Sequence, residues 1–341
     1  MDRFLALSPE DRRQAFEQAG IRRGLPAGSV EKDFWVCLML RETFGLPGIG
    51  DALTFKGGTS LSKAWGLIDR FSEDIDLTIG RDALGFGEGQ GPEAAASGSE
   101  RKRRIDRIKE ACRVLVGKRI QPELSERLRV ALPATESWSL APDAEDPDSQ
   151  TLLFKYSSQT ETIPTDYVKR EVKLEFGARS DPWPAADRVV TPIVAEEFET
   201  LFLAPAVVVR ALLPERTFWE KVLLLHEENF RPADKPRRQR MARHYYDVWR
   251  LVETGVGDKA RADPSLFAQV VEHRKLFFRH SWVNYETMRL GAIQALPRPE
   301  FLEDWRRDYV GMQREMFVGE PPGFDEILKR IGTFQAELNA S

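Results

Sequence analysis

Between Phe71 and Ile79 the chain alternates with a period of two: Phe71, Ile75, Leu77 and Ile79 fall on one parity, Ser72, Asp74, Asp76 and Thr78 on the other. That period is the signature of a β-strand with one face turned to a core. Just upstream, Ala52–Lys56 reads as a short strand, Gly57-Gly58 as a turn and Thr59–Ile68 as a helix. Two carboxylates, Asp74 and Asp76, are thereby expected side by side on the polar face of a strand that follows a glycine turn.

The rest of the chain sorts by the same signals. Residues 8–20 open on Ser8-Pro9-Glu10-Asp11 and continue as an amphipathic helix; residues 29–44 read as a more buried helix with Ser29 as N-cap and Glu31 and Asp33 in its first turn. The stretch 82–100, with five glycines among small residues, reads as a flexible loop. Residues 100–118 form a basic amphipathic helix, strands are expected at 128–132, 151–156 and Tyr167–Phe176, and Ala141–Ser149 is an acidic loop. Pro182, Pro184 and Pro192 mark a connector; helices are expected at 195–203, 205–213, 215–229, 238–254, 264–279, 285–293, 298–317 and 323–338. Strands mixed with helices come first and helices alone follow, which is an α+β domain succeeded by a helical one. The division falls near 195–213, taken here as domains 1–200 and 201–341.

Composition excludes several classes. The 341 residues carry 50 basic and 54 acidic side chains, a net charge of -4, so the surface is not basic throughout, although a local basic groove remains open. Two cysteines rule out a disulfide scaffold and a cysteine zinc site, and fit a reducing cytoplasm. The four histidines form no zincin motif. No apolar run is long enough to span a membrane, and the first 20 residues mix both charge signs, so no secretory signal is expected there.

The chemistry concentrates in Phe55–Lys63 and Arg70–Leu77. Like charges ~4 Å apart repel by roughly 4 kcal/mol at an effective dielectric near 20, so Asp74 and Asp76 call for a cation, a shared proton or a basic partner. A hard divalent ion with oxygen ligands, Mg²⁺ or Mn²⁺ carrying substrate phosphates, is the natural solution. Gly57 and Gly58 let backbone N–H groups approach an anion, and Thr59 and Ser60 add hydroxyls. A phosphate cradle beside a carboxylate pair suits phosphoryl or nucleotidyl transfer. Each signal alone has a plain structural reading, a strand–helix turn or a solvated strand face; their conjunction is specific. Glu175, beside Gly177 on the polar parity of its strand, is the candidate third carboxylate, against the alternative of an ordinary polar face.

Lys221 lies in an apolar helix and must meet an anion, either nucleotide phosphate or Asp247 of the next helix, with the ion pair slightly favoured by spacing. Two charge runs, the 101–119 helix and Arg231–Arg243 with Arg237, Arg238, Arg240 and Arg243, are either solvated faces or nucleic-acid contacts. His226 and His244 read as packing residues rather than ligands.

Six stretches together resemble the AbiEii/AbiGii nucleotidyltransferase toxin family, of the DNA-polymerase-β-like superfamily: Glu31–Val36, Phe55–Lys63, Arg70–Leu77, Val172–Arg179, Arg216–Lys221 and Arg243–Asp247. The resemblance implies a mixed sheet flanked by helices with a C-terminal helical domain, a bilobal molecule. It implies a toxin of a bacterial toxin–antitoxin or abortive-infection (phage-defence) system that binds a nucleoside triphosphate (NTP) with Mg²⁺. Relatives of the MenT type modify the 3′ acceptor end of tRNA. The family's aspartates map to Asp74 and Asp76, its later Lys and Asp to Lys221 and Asp247, and a serine phosphorylated in some relatives to Ser72. Lys56, Lys63, Arg70 and Ser72 join Gly57, Gly58, Thr59 and Ser60 as expected phosphate-binding residues. One departure is Gly58-Thr59 where the superfamily usually has Gly-Ser.

The expectation is therefore a metal-dependent nucleotidyltransferase of the cytoplasm, with an NTP, a tRNA 3′ end as RNA acceptor, a cognate antitoxin and no membrane. Its rivals are nucleotide transfer to a protein side chain and a nucleotide-binding interaction module without turnover.

Overall fold

The computed structural model describes residues 1–72, 74–160, 170–317 and 319–340. The chain divides into two compact units, Met1–Trp65 with Phe71–Leu212, and Gly66–Arg70 with Leu213–Ser341.

After a single helical turn at Asp2–Leu5, the first unit continues with α1 (Pro9–Arg23), whose N-cap Ser8 accepts from the Asp11 N–H, and α2 (Ala27–Phe44). Helix α2 begins earlier than its serine suggested. Pro26, with its preset φ of -59°, is the N-cap residue, and Ser29 lies buried in the first turn. Strand β1 (Leu53–Lys56) leads into the short helical turn Gly57–Thr59 and a π-type turn Ser60–Ala64. The helix expected to reach Ile68 stops there, two residues before Gly66 at φ +62°.

Strand β2 is Ile75–Ile79, so the expected Phe71–Ile79 strand is correct only in its second half. Asp76 and Thr78 lie on the strand; Ser72 and Asp74 precede it, and Glu73 lies outside the described residues. Thr78 is buried rather than solvated, and its Oγ1 has no hydrogen-bond partner among the described residues. The glycine-rich stretch is tied down. Two 3₁₀ turns, Arg81–Leu84 and Pro92–Ala94, carry it, and Arg104 donates to the carbonyls of Gly89 and Gly91 at 2.8 Å each.

Helix α3 (Gly98–Leu115), a π-type turn and α4 (Gln121–Ala131) follow without a break. The strand expected at 128–132 is helix, because Leu124 and Leu128 are buried one turn apart. Strands β3 (Trp138–Pro142), β4 (Thr151–Tyr156), β5 (Glu171–Gly177), β6 (Ala185–Val190) and β7 (Val207–Leu212) complete a sheet of order β3-β4-β5-β2-β1-β7-β6. The expected strand start at Tyr167 lies outside the described residues. Residues 205–213 were expected as helix; Val207, Val209 and Ala211 are buried, Val208 and Arg210 exposed, and the strand runs parallel to β1. Strands β3 and β6 are edge strands without a clean apolar alternation, so no sequence signal marked them.

The sheet is mixed: β2 is antiparallel to β1 and parallel to β5. Helix α2 is buried along its length, and its Trp35 ring packs 5.6 Å from Phe154 and 5.0 Å from Tyr156 of β4. Each such side chain contributes roughly 1.5–3 kcal/mol of burial.

The second unit is built on helices α5 (Pro214–Glu228), α6 (Arg243–Glu253), α7 (Val256–Arg261), α8 (Pro264–Phe277), α9 (Leu302–Met316) and α10 (Phe324–Ala340). The expected helix at 238–254 starts only at Arg243, after Arg240 at φ +63°, and 285–293 holds one 3₁₀ turn, Tyr285–Thr287. The α+β class with a mixed sheet followed by helices is the architecture found. No helix among the described residues is long and apolar enough to cross a membrane.

Candidate active site

The turn after β1 is shaped around one carboxylate. Gly57 has φ +79°, and a Cβ built on it would stand 2.0 Å from Oδ2 of Asp76. Only glycine fits the conformation and leaves the space. Lys56 is the cross-strand partner of Asp76, so cation and carboxylate share a face at the mouth of the turn. Thr59 Oγ1 donates to Ser72 Oγ at 2.9 Å, linking the turn to the segment that carries Asp74. Ser60 is turned inward, and its buried Oγ has no partner among the described residues. Thr59 is buried as well, so the turn can offer a ligand its Gly57 and Gly58 backbone more readily than its hydroxyls.

Glu175 of β5 is the parallel-strand partner of Asp76, which puts both carboxylates on one face. The same face holds a cation that sequence reasoning had given no role. Lys173 Nζ lies 3.0 Å from Glu175 Oε1 and 3.5 Å from Asp143 Oδ2. Burial works against its charge, but Glu175, Asp74 and Asp143 outweigh it and raise the Lys173 pKa. Asp143 belongs to the acidic loop. Its signal was the charge of that loop, and nothing local tied it to the carboxylates of β2.

Among the described residues no three His, Cys, Asp or Glu side chains are gathered tightly enough to enclose a metal ion. A Mg²⁺ site does not require three, since this ion keeps waters and takes one or two carboxylates together with substrate phosphates. The hard oxygens of Asp76 and Asp74, beside a turn emptied of side chains at Gly57, fit that demand.

Lys63 is committed elsewhere. Its ammonium lies 2.6 Å from Asp33 Oδ1 and donates to the Thr191 carbonyl at 2.9 Å. Burial opposes its charge, and Asp33 more than restores it, holding Lys63 above the usual lysine range. Asp33 also accepts from the Ile193 N–H at 2.7 Å. Nearby Glu31 accepts from Ser158 Oγ, Gln159 N and both Thr160 donors, so the acidic residues of α2 brace the first unit.

The second unit contains a separate buried charge cluster. Arg70 grips Asp247 with two parallel bonds, Nε to Oδ1 at 2.6 Å and Nη2 to Oδ2 at 2.8 Å, and Lys221 Nζ stands 2.8 Å from the same Oδ2. Burial alone would raise the Asp247 pKa; Arg70 and then Lys221 override it and hold the carboxylate ionised far below its usual range. Burial pulls Lys221 down, with Asp247 opposing. The ion pair that spacing favoured for Lys221 is thus present, and the fork of Arg70 is filled by Asp247. His244, on the same helix, has a buried Nδ1 with no partner among the described residues. His226 accepts from Gln294 N at 3.0 Å and shares a bond with Thr287 Oγ1 at 2.9 Å, a packing role as expected.

The 231–243 segment is largely engaged with its own unit. Arg231 pairs with Glu228, and Arg237 reaches Glu228 at 3.4 Å while its guanidinium covers Phe301 at 4.1 Å and Trp305 at 5.1 Å. The Arg240 and Ala242 N–H groups cap Asp308, and Arg243 donates to the Arg240 carbonyl at 2.9 Å. Arg238 is exposed at a cavity of about 270 Å³.

Residues 38–330 match the family described as nucleotidyl transferase AbiEii toxin, type IV TA system. Among solved structures the chain is similar to MenT4, a nucleotidyltransferase toxin from Mycobacterium tuberculosis H37Rv, at a TM-score of 0.54 and 15% identity, over 96% of this chain and 90% of that one. A comparison with curated proteins finds no match. The match over residues 38–330 takes in β1, β2, β5 and the buried cluster of the second unit, and the chain belongs to the AbiEii family of nucleotidyltransferase toxins from type IV toxin–antitoxin systems.

Proposed function

We propose that the protein is a divalent-metal-dependent enzyme that transfers a nucleotide from an NTP to the 3′ end of an RNA, with tRNA as the acceptor. The observation that carries the reading is Asp76 packed over Gly57, with Glu175 in register on the neighbouring strand. Asp74 and Asp76 would hold Mg²⁺ or Mn²⁺, which when bound neutralises triphosphate charge and polarises the α-phosphate. The Gly57-Gly58 backbone approaches the phosphates, and Lys56 lends a positive charge beside them. Glu175 accepts the proton of the attacking hydroxyl. The hydroxyl oxygen bonds to the α-phosphorus, the bond to the bridging oxygen breaks, and pyrophosphate departs with the electron pair. Lys221, held by Asp247, is assigned to phosphate charge, and Arg238 and its neighbours Arg237, Arg240 and Arg243 to RNA. The reaction belongs in the cytoplasm, where triphosphates and tRNA are found, and an antitoxin encoded with the toxin restrains it. The family connection to abortive infection makes phage defence the setting proposed here.

Purified protein incubated with each labelled NTP, Mg²⁺ or Mn²⁺ and total tRNA tests the reading. Label on RNA supports it. Label on a protein band moves the acceptor to a side chain, and no transfer with any nucleotide sinks the enzymatic proposal.

A further inference from the structure

The basic residues of the 231–243 segment are mostly held by their own unit, whereas one face of α3 carries three cations that no carboxylate pairs with among the described residues. Lys102, Arg103 and Arg107 are exposed and form no ion pair among the described residues. Lys102 and Arg103 are adjacent, Arg107 follows five and four positions on, and all three border the same cavity as Ser99, Asp106, Glu110, Ala111 and Val114. This face and Phe86 line a cavity of about 760 Å³. Three of the other four cations of α3 are committed. Arg104 pairs with Glu100, Arg113 with Glu110, and Lys109 with Asp148. Asp106 is the acid that offsets the three, which leaves the face net positive.

The aromatic at its edge is fixed in place. Phe86 sits in the glycine-rich segment, which Arg104 ties to α3 through the Gly89 and Gly91 carbonyls and Arg81 braces through Glu93 and Asp181. The Arg107 guanidinium covers the Phe86 ring at 5.8 Å from its centroid. Three unpaired cations in a row beside an aromatic ring and an apolar floor form a surface for a phosphate backbone with a base or sugar against the ring. An acidic protein partner would meet the cations equally well. It would have no particular use for a half-buried ring flanked by a guanidinium, and the stacking surface favours the polynucleotide.

We infer that the α3 face formed by Lys102, Arg103 and Arg107, with Phe86, is the surface that binds the backbone of the acceptor RNA. This deepens the RNA-acceptor reading and rests on it. It moves the main electrostatic contact away from 231–243 and into the unit that carries Asp74 and Asp76. Neutralised phosphates release counterions, so the affinity must fall with salt in proportion to the number of contacts.

The experiment measures binding of the full-length protein to total tRNA by fluorescence anisotropy over a range of salt, alongside nucleotide transfer. The triple variant Lys102→Glu/Arg103→Glu/Arg107→Glu should bind at least about tenfold more weakly, with the slope of log K against log salt reduced by roughly 2–3. The apparent KM for NTP should stay unchanged. Phe86→Ala should weaken binding without changing the slope. Lys329→Glu, exposed on α10, controls for net charge, and the triple alanine variant replaces the reversal if circular dichroism shows the latter unfolded. Wild-type affinity and slope in the triple variant overturn the inference. If the wild type binds tRNA without labelling it and the triple variant does not bind, the surface stands and the acceptor chemistry fails. If the wild type does not bind RNA, both fall.

Discussion

The Asp76 carboxylate lies so close over Gly57 that a Cβ there would meet its Oδ2 at 2.0 Å. The strand that carries the acid and the turn proposed to approach the phosphate are therefore a single packed object. Gly57→Ala must strain a backbone at φ +79° and also push the carboxylate aside. The backbone strain costs about 1–2 kcal/mol, visible as a lowered Tm. Displacing a catalytic carboxylate by about 1 Å costs on the order of a hundredfold in rate. Nucleotide transfer by the folded variant should fall by at least that factor; a variant of near wild-type rate would dissociate the turn from the chemistry.

Asp74→Asn and Asp76→Asn separate activity from stability in the opposite sense. Each keeps the shape and removes one negative charge from a face that already holds Glu175 and Asp143 around Lys173. Transfer should drop by at least about a hundredfold, the scale of losing a metal-directed contact worth several kcal/mol. Thermal stability should change little, since the relieved like-charge repulsion offsets the lost attraction to Lys173 and Lys56. Calorimetry with and without Mn²⁺ plus NTP checks the second half: the stabilisation expected of the wild type should be absent in both variants.

The turn and its acid were legible because their signals are local, a glycine pair and a period of two within about 25 residues. What stayed hidden depends on partners far along the chain. Val207–Leu212 is a short apolar run that periodicity alone does not separate from helix; its strand character comes from pairing with β1, some 150 residues earlier. Lys173 shares the strand parity of Glu175, but its role needed the positions of Asp143 and Asp74. The acids of Glu31-Lys32-Asp33 looked like the decoration of a helix start. The structure gives Glu31 to Ser158, Gln159 and Thr160, and Asp33 to Lys63 and Ile193.

That bracing makes Glu31 a stability residue. Its carboxylate is buried and accepts from two hydroxyls and two backbone N–H groups. Glu31→Ala strands those donors at about 1–3 kcal/mol for a typical unsatisfied group. Urea titration should show a lowered midpoint with the m-value unchanged. Glu31→Gln, which retains one acceptor oxygen, should recover part of the loss, and an equal effect of both variants would argue against the hydrogen bonds as the cause.

Asp247 ties two buried cations together, and removing it should be among the costliest single changes in the second unit. Asp247→Ala removes the buried carboxylate that Arg70 and Lys221 share, a penalty of roughly 3–5 kcal/mol for a broken buried pair. The wild-type protein also acquires an acid dependence here. The folded pKa of Asp247 lies below its ordinary value of 3.8, so its contribution is complete above that value and is lost as pH falls through the lower folded one. Thermal melts should therefore fall steeply below about pH 4, and the Arg70→Met variant, with one cation gone, should show a shallower fall.

A second and milder acid window comes from His226. Burial lowers its pKa from 6.5 to about 4, so the folded state resists a proton that the unfolded chain accepts. Stability from this group is complete above about pH 6.5 and declines as pH drops towards 4. The full decline amounts to about 3 kcal/mol. The ring also has both nitrogens engaged, with Gln294 N and Thr287 Oγ1, so it cannot be deleted without a hydrogen-bond penalty of its own. His226→Gln retains an acceptor and a donor but does not titrate. Its stability at pH 7.5 should lie below that of the wild type, while the slope of stability between pH 6.5 and 4.5 should flatten. Equal slopes in the two proteins would place the acid sensitivity of that window elsewhere, with the buried His244 as the next group to substitute.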